Sequence, residues 1–154
     1  MLKEIKEFFS ELAGSEKTAH FEESDYRLAA AALLVHLATL DHELSAENRG
    51  ILHALLKSRF DLTDELTAEL IDAAVTAENE AVDFYHFTHT LMRVLDEPGR
   101  QRIVDMMWQL IYADHKVSEF EDNMMWRVAD LLGVSAQERL ELKRRAAKSA
   151  GEAG

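Results

Sequence analysis

Two short stretches of the chain set an aspartate and a histidine side by side, three residues ahead of a helix-capping serine. The first is "LDHELSAEN", residues 40 to 48, and the second is "ADHKVSEFE", residues 113 to 121. Asp41 and Asp114 stand 73 positions apart, and at that offset Leu37 meets Leu110, His42 meets His115 and Leu44 meets Val117. Ser45 meets Ser118, Ile51 meets Met124 and Leu52 meets Met125.

Two kinds of chemistry suit such a pair. In the first, the stretch is a joint that turns the chain between helices. Asp accepts backbone N–H bonds in turns, His tolerates the left-handed conformation better than most residues, and Ser caps the next helix. In the second, the two copies build a cation site. Asp41 and Asp114 fall near helix C-termini, where a carboxylate is mildly unfavourable, by roughly 0.3–1 kcal/mol. Two acids in that position call for compensation, either from the next helix's N–H groups or from a cation. Asp41, Glu47, Asp114 and Glu121, with Glu43 and Glu119 nearby, supply the oxygens a hard cation takes. His42 and His115 would extend the set to zinc or manganese. The spacing matches neither an EF-hand loop nor a zinc helix of the HExxH kind.

Other polar residues read as structural. Asp83, His86 and His89 fall at i, i+3 and i+6 in "DFYHFTH", drift around a helix and are crowded by aromatic neighbours. His36 lies among Ala, Leu and Val and is expected in the core, bonded to a carbonyl. "DMMWQL" and "NMMWRV" read as a soft helical core. No nucleophile elbow, P-loop or dinucleotide fingerprint occurs, so no enzymatic activity is expected.

The elements that position the joints are helices. The chain has 154 residues, a single proline and no cysteine, which excludes disulfides, thiolate metal sites and a cysteine nucleophile. Good helix formers dominate, and no stretch alternates as a half-buried strand does. An amphipathic helix is expected over 2–13, from Leu2, Ile5, Phe8, Phe9 and Leu12, ahead of Gly14. Further helices should open at Ser24 or Asp25, at Ser45, at Thr63, near residue 80, at Pro98, at Ser118 and at Ser135. Capping boxes are expected at Ser118 with Glu121 and at Ser135 with Glu138. The fifth of these eight helices, near 80–95, should carry Val82 in its apolar stripe. The expected architecture is therefore all-α: one domain of about eight helices with two pseudo-repeated helix-joint-helix units.

The net charge of −12 argues against nonspecific nucleic-acid binding and suits cations or basic partners. No apolar run has the length of a membrane span, and the N-terminus lacks a signal peptide's apolar block, so a cytoplasmic protein is expected.

The duplicated joint in this helical context resembles the TerB-like family, named for bacterial tellurite resistance. Its members typically read Ala-Asp-Gly-x-(Ile/Val)-Ser-x-x-Glu at these joints. Ala113, Asp114, Val117, Ser118 and Glu121 match in the second copy, and Asp41, Leu44 and Ser45 match in the first. His42 and His115 replace the family's glycine, while Asn48 takes the place of the glutamate, with Glu47 one position early. The resemblance covers about residues 24 to 148, leaving 1–23 as an N-terminal helix and loop and 149–154 as a flexible tail. It implies an all-helical, non-enzymatic module with an acidic site for a divalent metal. It also implies a link to stress response and to protein complexes at the membrane surface.

Overall fold

The computed structural model describes residues 21–114 and 117–151, excluding the side chain of Asp114. The expected helix over 2–13 therefore lies outside the described residues, as do His115 and the last three residues of the C-terminal tail. Seven helices and no strands occur among the described residues: α1 Tyr26–Ala38, α2 Ala46–Phe60, α3 Asp64–Glu80, α4 Tyr85–Val94, α5 Glu97–Asp114, α6 Glu119–Leu131 and α7 Ala136–Ser149. None of them is long and apolar enough to cross a membrane.

Local chemistry opens five of these helices at the residues the sequence indicates. Asp25 accepts from the Arg27 N–H, Ser45 from Asn48 and Thr63 from Leu66. Ser118 and Ser135 form full capping boxes with Glu121 and Glu138. Two starts differ from expectation. Helix α5 begins one residue before Pro98, with the Gly99 N–H donating to Asp96 Oδ1 at 2.9 Å. Helix α3 runs on to Glu80 and α4 starts only at Tyr85, whose N–H donates to Asp83 Oδ1. Val82 falls in the intervening loop and is fully exposed, so it contributes nothing to an apolar stripe.

Helix α1 is the centre of the molecule. Every residue from Leu28 to Leu37 except His36 is buried. A helix apolar on all sides must be enclosed on all sides, and α1 packs against α2, α3, α4 and α5. Its run Ala29–Ala32 lets those neighbours approach closely. His36 is not bonded to a carbonyl as expected. It is half-buried, with Nδ1 3.1 Å from Glu78 Oε1 on α3 and its ring tilted against Phe84.

The internal repeat extends to the packing. Helices α1–α2–α3 form one unit and α5–α6–α7 the other. In each unit the first helix packs most extensively on the third and also touches the second. The turn after the second helix repeats as well. The Leu62 N–H donates to the Lys57 carbonyl, and the Val134 N–H to the Ala129 carbonyl. Each turn passes through a left-handed residue, Asp61 at φ 52° in one unit and Gly133 at φ 70° in the other. Helix α4 links the units and rests on α1 and α6. Met106, Met107 and Trp108, with Met124 and Met125, are buried in the core, while Trp126 stays exposed.

Candidate functional site

The first joint runs from Thr39 to Ser45. Helix α1 stops at Ala38 because the Thr39 hydroxyl bonds back to the Val35 carbonyl at 2.8 Å, competing with the helical ladder. Asp41 and His42 follow on an exposed bend, and Ser45 opens α2. Asp41 thus stands beyond the helix cap rather than in the last turn, which weakens its conflict with the helix dipole. The backbone of Asp114, by contrast, is the last helical residue of α5.

His42 is not in the left-handed conformation, since Asp61 is the only described non-glycine residue with positive φ. The left-handed part of the turn reading therefore does not hold for that histidine, which still sits on the bend between α1 and α2. Its Nδ1 lies 2.7 Å from the Glu43 carbonyl oxygen. A carbonyl can only accept, so Nδ1 carries a proton, and in the neutral ring Nε2 keeps a lone pair. That is the tautomer and the type of partner a metal-ligating histidine uses.

The two repeats meet at this joint. A cavity of about 40 Å³ is lined by Leu37, Ala38, Leu40, Asp41, His42, Asn48, Leu110, Ile111 and Glu121. Three pairs in that lining are related by the 73-residue offset: Leu37 with Leu110, Ala38 with Ile111, and Asn48 with Glu121. Matching positions of the two units therefore line one cavity. Its volume has room for about one water or one ion, a water's share of liquid being about 30 Å³.

Asn48 and Glu121 are both buried, and both occupy the third position of their helix. Glu121 Oε1 accepts from the Ser118 N–H at 2.9 Å, so part of its role is to close the capping box. In α2 the Asn48 N–H donates to Ser45 Oγ at 3.0 Å.

Of the six candidate ligands, the structure brings Asp41, His42 and Glu121 to one cavity. Glu47 is exposed on the first turn of α2 and does not line it. The Asp114 side chain and His115 are outside the described residues. Asn48 takes the place that Glu47 was expected to fill. The sequence signalled it only as a departure from the family's glutamate. The donor chemistry fits a hard or borderline cation, with two carboxylates, an amide oxygen and an imidazole nitrogen. No three His, Asp or Glu side chains among the described residues converge closely enough to hold an ion as they stand.

The other histidine cluster disperses. Asp83 opens α4, His86 Nε2 pairs with Glu23 Oε1 at 3.2 Å, and His89 is exposed.

Compared with known proteins, residues 27–144 match the family model described as tellurite resistance protein TerB. No curated protein and no solved structure matches the chain.

Proposed function

The chain belongs to the TerB family, and from that premise we propose that it is a non-enzymatic helical module that takes a divalent cation where its two repeats meet, in a tellurite or stress response. The carrying observation is the cavity shared by Asp41, His42, Asn48 and Glu121, placed across the relation between the repeats. Asp41 and Glu121 would give charged oxygens, Asn48 a neutral one and His42 its Nε2. Asp114 and His115, the sequence counterparts of Asp41 and His42, belong to the same proposed set. A bound cation would offset the carboxylate charge in the cavity and tie the joints together. In that role the module would pass the state of its cation site to protein partners, such as the complexes at the membrane surface that the family resemblance implies.

A second reading is a purely structural interaction domain whose joints only turn the chain. Two observations favour it: Glu121 already serves the capping box, and the described donors stand apart. Thermal melts of the full chain separate the two. Wild type is melted in chelator and then with excess Ca²⁺, Mg²⁺, Mn²⁺ or Zn²⁺, beside Asp41→Asn, Asp114→Asn and His42→Gly. A bound ion raises the midpoint in proportion to RT ln(1 + [L]/Kd). The cation reading predicts an upward shift in wild type that shrinks in both Asn variants. Loss of only the Zn²⁺ or Mn²⁺ shift in His42→Gly would identify imidazole ligation. No shift with any ion leaves the interaction domain.

A further inference from the structure

The solvent face of α6 carries more apolar surface than its place in the fold requires. Phe120 is 67% exposed and Trp126 54%, and Asn123 and Arg127 are exposed beside them. Phe120, Asn123 and Arg127 stand in one row, at i, i+3 and i+7, with Trp126 next to it. The first unit supplies an internal control, because α2 holds the equivalent place there. At the 73-residue offset Phe120 meets Glu47, Asn123 meets Gly50, Trp126 meets His53 and Arg127 meets Ala54. The fully buried positions stay apolar in both units, Leu52 with Met125 and Leu56 with Ala129. Folding therefore demands the buried pattern and not the two exposed rings. Single exposed apolar residues are ordinary, but two aromatic rings around an arginine are the residue types that dominate protein interfaces. Arg127 is also held ready. Its Nη2 donates to Tyr85 Oη at 2.7 Å, and the guanidinium lies 5.5 Å from the centre of the Phe84 ring. A side chain already fixed loses little freedom on binding.

We propose that this face is a self-association surface, on which a second copy of the chain packs its α6 antiparallel to the first. The face is complementary to itself. Phe120 and Arg127 are two helical turns apart, about 10 Å, so a copy's own ring and guanidinium do not meet. A twofold axis crossing the helix beside Asn123 brings each Phe120 level with Arg127 of the second copy, on the same flank of the interface. The ring then covers the open side of a guanidinium already backed by Phe84, a cation–π contact made twice. The two Asn123 amides meet near the axis, each able to donate and accept. Parallel pairing would instead set Arg127 against its own copy. An outside basic partner would meet Arg127 at the middle of the face, and an acidic one would meet Glu119 and Asp130 at its ends, on a chain of net charge −12. That charge also repels a second copy at long range, but at about 0.15 M salt it is screened beyond roughly 8 Å. One face of a 13-residue helix is smaller than the interface of a permanent dimer, so the association is a concentration-dependent one.

Sedimentation of the full chain tests it, in chelator so that no cation takes part, from about 1 μM to about 1 mM. Wild type should pass from monomer toward dimer across that range. Phe120→Arg sets guanidinium against guanidinium and should weaken the dimer on the order of tenfold or more, the loss usual for a central interface residue. A triple variant, Phe120→Glu with Trp126→His and Arg127→Ala, gives α6 the residues that α2 carries at the same places. It should remain monomeric throughout. Ala54→Arg, on the matching face of α2, should leave the dimer as in wild type. Two results would overturn the proposal. One is a wild type that stays monomeric at the highest concentration. The other is a dimer equally strong in Phe120→Arg and in the triple variant, which would assign the contact to another face. Should the triple variant fail to fold, Phe120→Arg, at an exposed position, decides alone.

Discussion

Glu121 carries two duties that substitution can separate. Its carboxylate closes the α6 capping box through the Ser118 N–H and also lines the joint cavity. Glutamine keeps an oxygen that can accept from Ser118 but has no charge. Glu121→Gln is therefore expected to leave stability in chelator nearly unchanged while reducing any cation-induced shift. Glu121→Ala loses the cap contact as well and should cost about 0.5–2 kcal/mol, the usual range for a lost helix cap. Denaturant midpoints in chelator, set beside cation-dependent melts, check both. Equal loss of stability in the two variants would mean that the negative charge itself, and not the cap geometry, is what α6 requires.

Asp64 offers a test of surface electrostatics at the same scale. Its Oδ1 lies 2.9 Å from His53 Nε2 and 2.9 Å from Lys57 Nζ, so it links the start of α3 to α2. The His53 hydrogen bond, then that of Lys57, holds its pKa below the ordinary aspartate value. A carboxyl depressed in the folded state stabilises the fold above its unfolded pKa. That contribution disappears as pH falls through the folded value. The melting temperatures of wild type and Asp64→Asn should therefore differ at pH 6 and converge as the pH drops below the ordinary aspartate range of about 4. A gap that persists unchanged at the lowest pH would show that the carboxylate's charge is not its source.

Among the elements, the turn between the second and third helix of each unit shows how far the repeat reaches. A left-handed residue costs roughly 1–2 kcal/mol for a side chain bearing Cβ, and glycine escapes most of it. The second unit has Gly133 at that point and the first has Asp61. Asp61→Gly should stabilise the protein by about 0.5–1 kcal/mol once glycine's greater unfolded-state freedom is deducted. Gly133→Asp should destabilise it by a similar amount. Urea midpoints for the two variants read this directly, and a loss of stability in Asp61→Gly would mean that the Asp61 side chain makes a contribution beyond the turn. The caps at Asp25, Ser45, Thr63, Ser118 and Ser135 were legible in the sequence because each is a local contact, closed within three residues. The start of α4 was not, because Val82 continues an apparent apolar pattern and only Asp83 beyond it turns the chain. The His36 partner was equally hidden: Glu78 lies on another helix, 42 positions away in sequence.

At the scale of the whole molecule, the 73-residue offset was the strongest long-range signal in the sequence, and the packing follows it. Matching helices make matching contacts, and matching residues line one cavity. What the sequence could not convey is which residue after the first joint turns inward. Glu47 and Asn48 are neighbours on α2, and a one-residue step on a helix moves a side chain by about 100°, so the buried member is set by the packing of α1 and α5 against that turn.

The central claim is that a cation lodges at the meeting of the repeats, and not merely somewhere on a surface of net charge −12. The most direct test is methyl NMR of the full chain during a titration with Mn²⁺, whose unpaired electrons broaden signals close to where it binds. The account predicts early, selective loss of the methyl signals of Leu37, Leu110 and Ile111, which line the cavity. Those signals should persist to higher Mn²⁺ in Asp41→Asn and Glu121→Gln. Broadening that begins at Leu66 and Ile71 on α3, or that spreads evenly with no preference for the cavity methyls, would contradict it.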